Sequence, residues 1–572
     1  MIIDGYELNL SEAQLDNILT RQTRKIELIS PDFPTFQALS ENDKKAMLHL
    51  VEAARLIDRI ALSQDHPLNL KLQKALQEAA KTSSHAQKAL ELFESFHGVA
   101  GYNGIDLAPI EIFKNVHLLS GKNFYPSDLS VEEFHKILHL MFQRGKIDEI
   151  RQILSARTMV RRQNDELVAI DYTEYFKDDF SKIANELEVA AHYTTDEAFK
   201  DYLGWQAQAL LQNNEEMDIL ADKHWAVLQD CPFELTISRE NYEDEMSGTV
   251  FDDPELARLI EEHHIKVVAK DTLGCRVGLV NAKETAYILK SKETLPHLAK
   301  WMPFQTQYIQ NGTRKDSVKQ SMVDVDLMAL TGDYAMCRGG ITTAQNLPNN
   351  DKPSIQAGGG RRNVYHRQIR FAKDAERLQK LLDKLIDPQL HQYVSAEETL
   401  RFVIGHENGH SLGPDSSYQN ALGLYKHIIE EHKADTVSVA SMPELKRTFD
   451  QYKDIDLRCF YTSWVVHDLM LRARPVLSKP HRVAELIQFN YLIDQKVLSF
   501  DENKKLHINF DLIEAALYRL LEDTIRIQLS RSSTQARDFI DRWGSWGEWP
   551  EYIASVQREL GLKPYIQLVT HF

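Results

Sequence analysis

Residues 401–416 read RFVIGHENGHSLGPDS and set His406, Glu407 and His410 in the spacing H-E-x-x-H. On a helix, positions four apart share a face, so the two imidazoles can grip one ion. Glu407 falls one residue along, beside the ion's open position, where it can take a proton from a bound water. A catalytic zinc needs a third protein ligand. The fold must therefore bring a second element against this one. Local signals predict the helix itself. Ser395 and Glu398 read as an S-x-x-E capping box. Leu400, Val403 and Ile404 give a buried side, and Gly413-Pro414 is a stop signal. Gly409 inside the helix is a mild cost, about 1 kcal/mol against Ala.

Three sources for the third ligand can be weighed. A long H-E-x-x-H-x-x-G-x-x-H/D motif would use Gly413, but its ligand position is Ser416 and Asp415 misses by one place. His427 or His432 would need an unusual turn. The remaining source is IIEEHKADTVSVA, 428–440, on a second predicted helix. There Glu431 and Asp435 lie four apart on one face. Glu431 can bind the metal, while Asp435 can accept the free ring N–H of a ligating histidine and so orient it. Taken alone, EEHKAD would read as a solvated charged face. Following H-E-x-x-H, it reads as the rest of a metal site.

The chain of 572 residues is 43% hydrophobic, enough for roughly two to four domains. Its formal charge of -17 argues against nucleic acid or an anionic membrane as partner, since both need a positive footprint. No apolar run reaches the length of a membrane span. The start, MIIDGYELNLSEAQ, lacks a signal pattern. Cys231, Cys275, Cys337 and Cys459 form no C-x-x-C pair, so neither a disulfide framework nor a thiolate zinc site is expected. A reducing cytoplasm is the expected compartment.

Helical periodicity marks 43–62, 131–145 and 283–302, and recurs from about 370 to 530. FELTISRENY and GCRVGLVNA read as strands, and YIQLVTHF as a closing strand. Residues 343–362 are the most Gly/Pro/Asn-rich stretch and read as a functional loop or hinge. The expectation is a mostly helical protein with a smaller β portion. Further residues have only local readings. Asn346 and Asn349 suit turn formers around a proline. Glu240 sits in an acidic loop with Glu243, Asp244 and Glu245. Tyr242 suits packing, and His481, before a helix, suits a cap.

Together, H-E-N-G-H and E-E-x-x-A-D (Glu430 to Asp435) follow the gluzincin plan and resemble peptidase family M49, that of dipeptidyl peptidase III. The family's usual first motif is H-E-x-x-G-H. The five-residue form here resembles some bacterial members and the peptidase-like part of certain plant Nudix proteins. No Nudix box is visible. Asn346-Leu-Pro-Asn349 is similar to the family's N-x-P-N segment, and Glu240-Asn-Tyr242 to its E-S-Y segment. KPHRVAE, around His481, is similar to a segment with a histidine that supports the transition state. Glu485 stands where that segment usually has a basic residue. The resemblance covers roughly 230–525.

The resemblance implies an α+β, predominantly helical fold with two lobes around a cleft. One lobe is helical and bears zinc; the other is mixed, with a small β-barrel. The mixed lobe would take 1–280, 311–375 and 531–572, and the helical lobe 281–310 and 376–530. The implied activity is a zinc-dependent exopeptidase releasing dipeptides from short peptides. One Zn²⁺ would be held by His406, His410 and Glu431, with Glu407 as general base and Asp435 orienting a ligand. Tyr242 and His481 would assist at the reacting carbonyl, while Glu240, Asn346 and Asn349 would hold the peptide's N-terminal end. The alternatives are an endopeptidase, an aminopeptidase, or a peptide-binding protein with weak chemistry.

Overall fold

The computed structural model describes residues 1–102, 108–164, 166–240, 244–310, 319–336, 344–347, 360–371, 375–473, 480–561 and 565–572. The chain divides into two units: 1–281, 324–369 and 562–572 in one, 282–323 and 370–561 in the other. The segment 531–561, expected to return to the mixed lobe, groups with the helical unit. Its helices Ser533–Trp543 and Glu548–Leu560 bury Phe539, Ile540, Ile553 and Val556 in the cores of that unit.

In the first unit, the helical pattern of 43–62 becomes Glu41–Asp65, capped by Ser40. That helix packs on Lys177–Tyr193. Five strands form the main sheet, in the order Ala344–Leu347, Gly360–His366, Lys319–Gly332, Thr272–Val280, Phe233–Glu240. FELTISRE and GCRVGLV are thus strands, paired antiparallel with Ile237 opposite Cys275. Among the described residues the two end strands do not pair with each other. The strand Lys319–Gly332, the longest at 14 residues, was not anticipated. It mixes Asp324 and Asp326 into its apolar run, which hides the β pattern. The closing strand Tyr565–Val569 pairs parallel with Thr23–Glu27.

A buried ionic hub ties this sheet together. Glu234 accepts from Arg362 Nε at 3.0 Å and lies 3.5 Å from Arg276 Nε, and all three side chains are fully buried. Arg276 also donates to Gln345 Oε1 at 2.7 Å, the residue before Asn346. Buried charges persist only when paired and hydrogen-bonded in this way.

Among its described residues the second unit is helical apart from the hairpin Leu498–Phe500/Leu506–Ile508 and the first residues of the strand Lys319–Gly332. Its central helix, Lys426–Thr448, is buried nearly all round, as expected of a helix surrounded by others. Pro443 lies inside it and removes the N–H that would bond the Val439 carbonyl. The Tyr461 hydroxyl donates to that oxygen at 3.4 Å instead. Among the described residues no helix is long and apolar enough to cross a membrane.

Candidate metal centre

The helix Ala396–Gly409 begins at Ser395, as anticipated, but without the reciprocal capping box. Ser395 accepts from the Glu397 N–H at 3.2 Å, while Glu398 turns instead to Arg401. The regular helix ends at Gly409, with His410 as its C-cap and Gly413 at φ +86° three residues on. It lies against the central helix Lys426–Thr448 at unusually short range. A Cβ on Gly405 would meet Ser438 Oγ at 2.2 Å, and one on Gly409 would meet the Ala434 carbonyl oxygen at 2.7 Å. Glycine at 405 and 409 faces Ser438 and Ala434, four apart on each helix. The cost of Gly409 in helix propensity is offset by this close approach, which sets both helices' ligands at one point.

Three atoms converge there. His406 Nε2 and His410 Nε2 are 3.1 Å apart, and each is 3.4 Å from Glu431 Oε2. Among the described residues these are the three side chains grouped closely enough to share an ion. Glu431 Oε2 is buried, yet no N–H is aligned on it in a normal hydrogen bond. The triangle fits a tetrahedral zinc: bonds of about 2.0–2.1 Å give ligand–ligand edges of roughly 3.3 Å. Two imidazole nitrogens turned toward each other and a carboxylate are the donor set such an ion takes.

The far nitrogen of each histidine is anchored. His406 Nδ1 lies 2.7 Å from Asp435 Oδ1, whose other oxygen accepts from Gln488 Nε2 at 2.9 Å. His410 Nδ1 lies 3.0 Å from Glu430 Oε1. Asp435 therefore meets His406 as its spacing suggested. Glu430 is a second orienting carboxylate to which the sequence reading gave no role. Its only sequence signal was membership of the E-E pair, because its reach depends on how the helices cross.

The electrostatics follow from this packing. Burial opposes charge on His410, but Glu431 and Glu430 outweigh it and push its pKa up to about 9. Burial likewise opposes charge on His406, and Asp435 and Glu431 raise its pKa well above the usual value. Burial disfavours the Glu431 carboxylate, yet His410, His481 and His406 around it hold it well below the ordinary range. Glu407 is half-buried, and among the described residues no hydrogen bond or ion pair engages its carboxylate.

His481 opens the helix Pro480–Asp494 and places Nδ1 3.3 Å from Glu431 Oε2, beside the triangle. Glu485, on the same helix, is buried rather than presented to a ligand. It pairs with Arg472 Nε and Arg482 Nη1, each at 3.1 Å. Burial raises its pKa to about 7 against the pull of those arginines. Two alternative ligands are corrected. His427 is exposed, and His432 is buried against Phe539 with burial lowering its pKa to about 4. Asp415 caps the short helix Ser416–Asn420. Of the peptide-binding candidates, Glu240 ends the strand Phe233–Glu240 opposite Thr272, and Asn346 lies opposite Asn363. Tyr242 and Asn349 lie outside the described residues. The described cysteines Cys231, Cys275 and Cys459 are free thiols, away from the metal triangle.

The chain has the fold of solved dipeptidyl peptidase III structures, and on it stands a helical His-His-Glu group that could hold a metal ion. The chain superposes on dipeptidyl peptidase III from Caldithrix abyssi with a TM-score of 0.78, covering 96% of this chain and 98% of that one at 23% identity. It matches the dipeptidyl-peptidase III of Corallococcus sp. strain EGB with a TM-score of 0.70, covering 97% of each chain at 19% identity. In sequence it is 24% identical over 547 residues to Nudix hydrolase 3 of Arabidopsis thaliana. That match takes in 86% of this chain and 66% of the plant protein, so the chain spans a little under two thirds of that relative. No family model matches the sequence.

Proposed function

We propose that this chain is a zinc-dependent metallopeptidase that releases dipeptides from the free N-terminus of short peptides in the cytoplasm. The observation that carries the reading is the triangle of His406 Nε2, His410 Nε2 and Glu431 Oε2, with Glu407 one residue from His406 on the same helix. A divalent ion held by these atoms supplies Lewis-acid polarisation of a water and of a peptide carbonyl. The remaining work falls to side chains. Glu407, with no described partner, takes the water's proton and returns it to the leaving amine. Asp435 and Glu430 keep each ring's Nδ1 protonated, so that Nε2 presents its lone pair. His481, whose Nδ1 lies 3.3 Å from Glu431 Oε2, would donate to the developing oxyanion, and the same role is proposed for Tyr242. Glu240, Asn346 and Asn349 are proposed, from the family resemblance, to bind the peptide's amino end.

Metal analysis paired with peptide cleavage tests the proposal. About one zinc per chain is expected, lost in His406→Ala, with dipeptides released from free but not acetylated peptides. Glu407→Gln should keep zinc and peptide binding while turnover falls roughly 10²- to 10⁴-fold. Cleavage of acetylated peptides would point to an endopeptidase. Release of single residues would point to an aminopeptidase. Zinc and binding without cleavage would leave a peptide-binding protein. Turnover surviving in Glu407→Gln would overturn the assignment of the base.

A further inference from the structure

Lys433 lies two residues past the ligand Glu431, and its side chain is fully buried. Its ammonium has three acceptors. The Gly409 carbonyl lies at 2.8 Å, the Leu412 carbonyl at 2.7 Å and Glu430 Oε1 at 2.8 Å. The two carbonyls flank His410 in the chain. They belong to the end of the ligand helix and the turn after it, where a cation is favoured, and the Gly409 carbonyl also accepts from the Leu412 N–H at 3.0 Å. The third acceptor is the same oxygen that faces His410 Nδ1 at 3.0 Å. The other oxygen of Glu430 accepts from Gln419 Nε2 at 2.7 Å and Gln528 Nε2 at 3.2 Å.

One ammonium therefore holds both things that place the second imidazole: the backbone on either side of His410 and the carboxylate behind its ring. Packing alone does not call for this group. A thioether side chain of similar length would fill the space without the cost of burying a charge. His406 sits within the regular helix, whereas His410 is the C-cap: its N–H still bonds the His406 carbonyl at 3.2 Å, but the regular helix does not continue past it. We propose that Lys433 is the positioning residue for the ligand His410 and thereby a determinant of metal affinity. This rests on the metal-centre reading above.

The test measures zinc affinity of the full-length chain by competition with a chromophoric chelator, for wild type, K433M, K433R and E430Q. The melting temperature of each metal-free protein is recorded alongside. K433M is expected to stay folded and to bind zinc roughly 10- to 100-fold more weakly. K433R, which keeps a cation against Glu430, should recover most of the loss. E430Q should weaken binding to a similar degree. Adding K433M to E430Q should then cost less than the sum of the two single losses, because the two share one oxygen while Lys433 also holds the Gly409 and Leu412 carbonyls. Wild-type affinity in K433M or E430Q would overturn the inference. So would a lower metal-free melting temperature with zinc affinity unchanged, or failure of K433M to fold, since either makes Lys433 a requirement of the fold alone. If the wild type binds no zinc, the metal-centre reading itself fails. If it binds zinc and K433M matches it, only the role of Lys433 fails.

Discussion

Glu431 Oε2 lies within 3.4 Å of a ring nitrogen of His406, His410 and His481, and beside it the pKa values of His406 and His410 are raised. The pKa of His410 stands at about 9 against an ordinary 6.5. A histidine raised on folding stabilises the fold fully below its unfolded value, and that contribution is lost as pH rises through the folded one. The metal-free protein should therefore lose melting temperature between about pH 6.5 and 9, through this site. An ion replaces the protons, so the rise in melting temperature on adding zinc should be larger at pH 8.5 than at pH 6. Thermal scans with zinc and with chelator across that range check this, and His410→Gln should flatten the difference. A zinc shift that shrinks toward high pH would contradict it. Asp435→Asn weakens the 2.7 Å anchor of His406 and should lower zinc affinity roughly 10- to 100-fold in an equilibrium titration. At this scale His406, His410, Glu431 and Asp435 were legible because spacing of four on a helix is a geometric statement. Glu430, Gln488 and Lys433 were not, because their partners come from segments that only the tertiary fold brings near.

The crossing of two helices turns those residues into a site. The approach of Ala396–Gly409 to Lys426–Thr448 relies on glycines at 405 and 409 set against Ser438 and Ala434. From sequence, Gly409 was a helix-weakening residue, and propensity alone rewards replacing it by about 1 kcal/mol. The structure reverses that sign. A methyl group at 409 would stand 2.7 Å from the Ala434 carbonyl oxygen and 2.9 Å from its Cα, both backbone atoms that cannot swing aside. Overpacking of this kind costs about 1–3 kcal/mol. Gly409→Ala is expected to lower the melting temperature and to weaken zinc binding, because His410 adjoins the displaced turn. A variant that is more stable and binds zinc as before would show that the helices can part at no cost to the site. Both helices were visible from their periodicity, but the contact between them was not, since a glycine pair carries no hydrophobic pattern. The strand Lys319–Gly332 was missed for a related reason: the buried Asp324 and Asp326 break its apolar run.

The metal triangle lies wholly in the unit formed by 282–323 and 370–561, whereas Glu240 and Asn346 belong to the other unit. The broad division into a helical and a mixed lobe came from the family resemblance, while the strand-like segments themselves gave only a smaller β portion. The late return at 562 was not legible, because the helices at 533–543 and 548–560 look alike whichever core they join. The separation makes the two halves of the proposed function independently testable. If Glu240 meets the peptide's ammonium, Glu240→Gln removes one charged hydrogen bond. Such a bond contributes about 1.5–3 kcal/mol, so kcat/KM for peptides with free amino ends should fall roughly 10- to 100-fold. Zinc content should not change, since among the described residues no candidate ligand lies in that unit. Activity on acetylated peptides, already low, should not fall further. The ratio of free to acetylated cleavage is therefore the informative quantity: a ratio unmoved by Glu240→Gln would place recognition of the amino end on other residues, while loss of zinc in that variant would mean that the two units do not act separately at all.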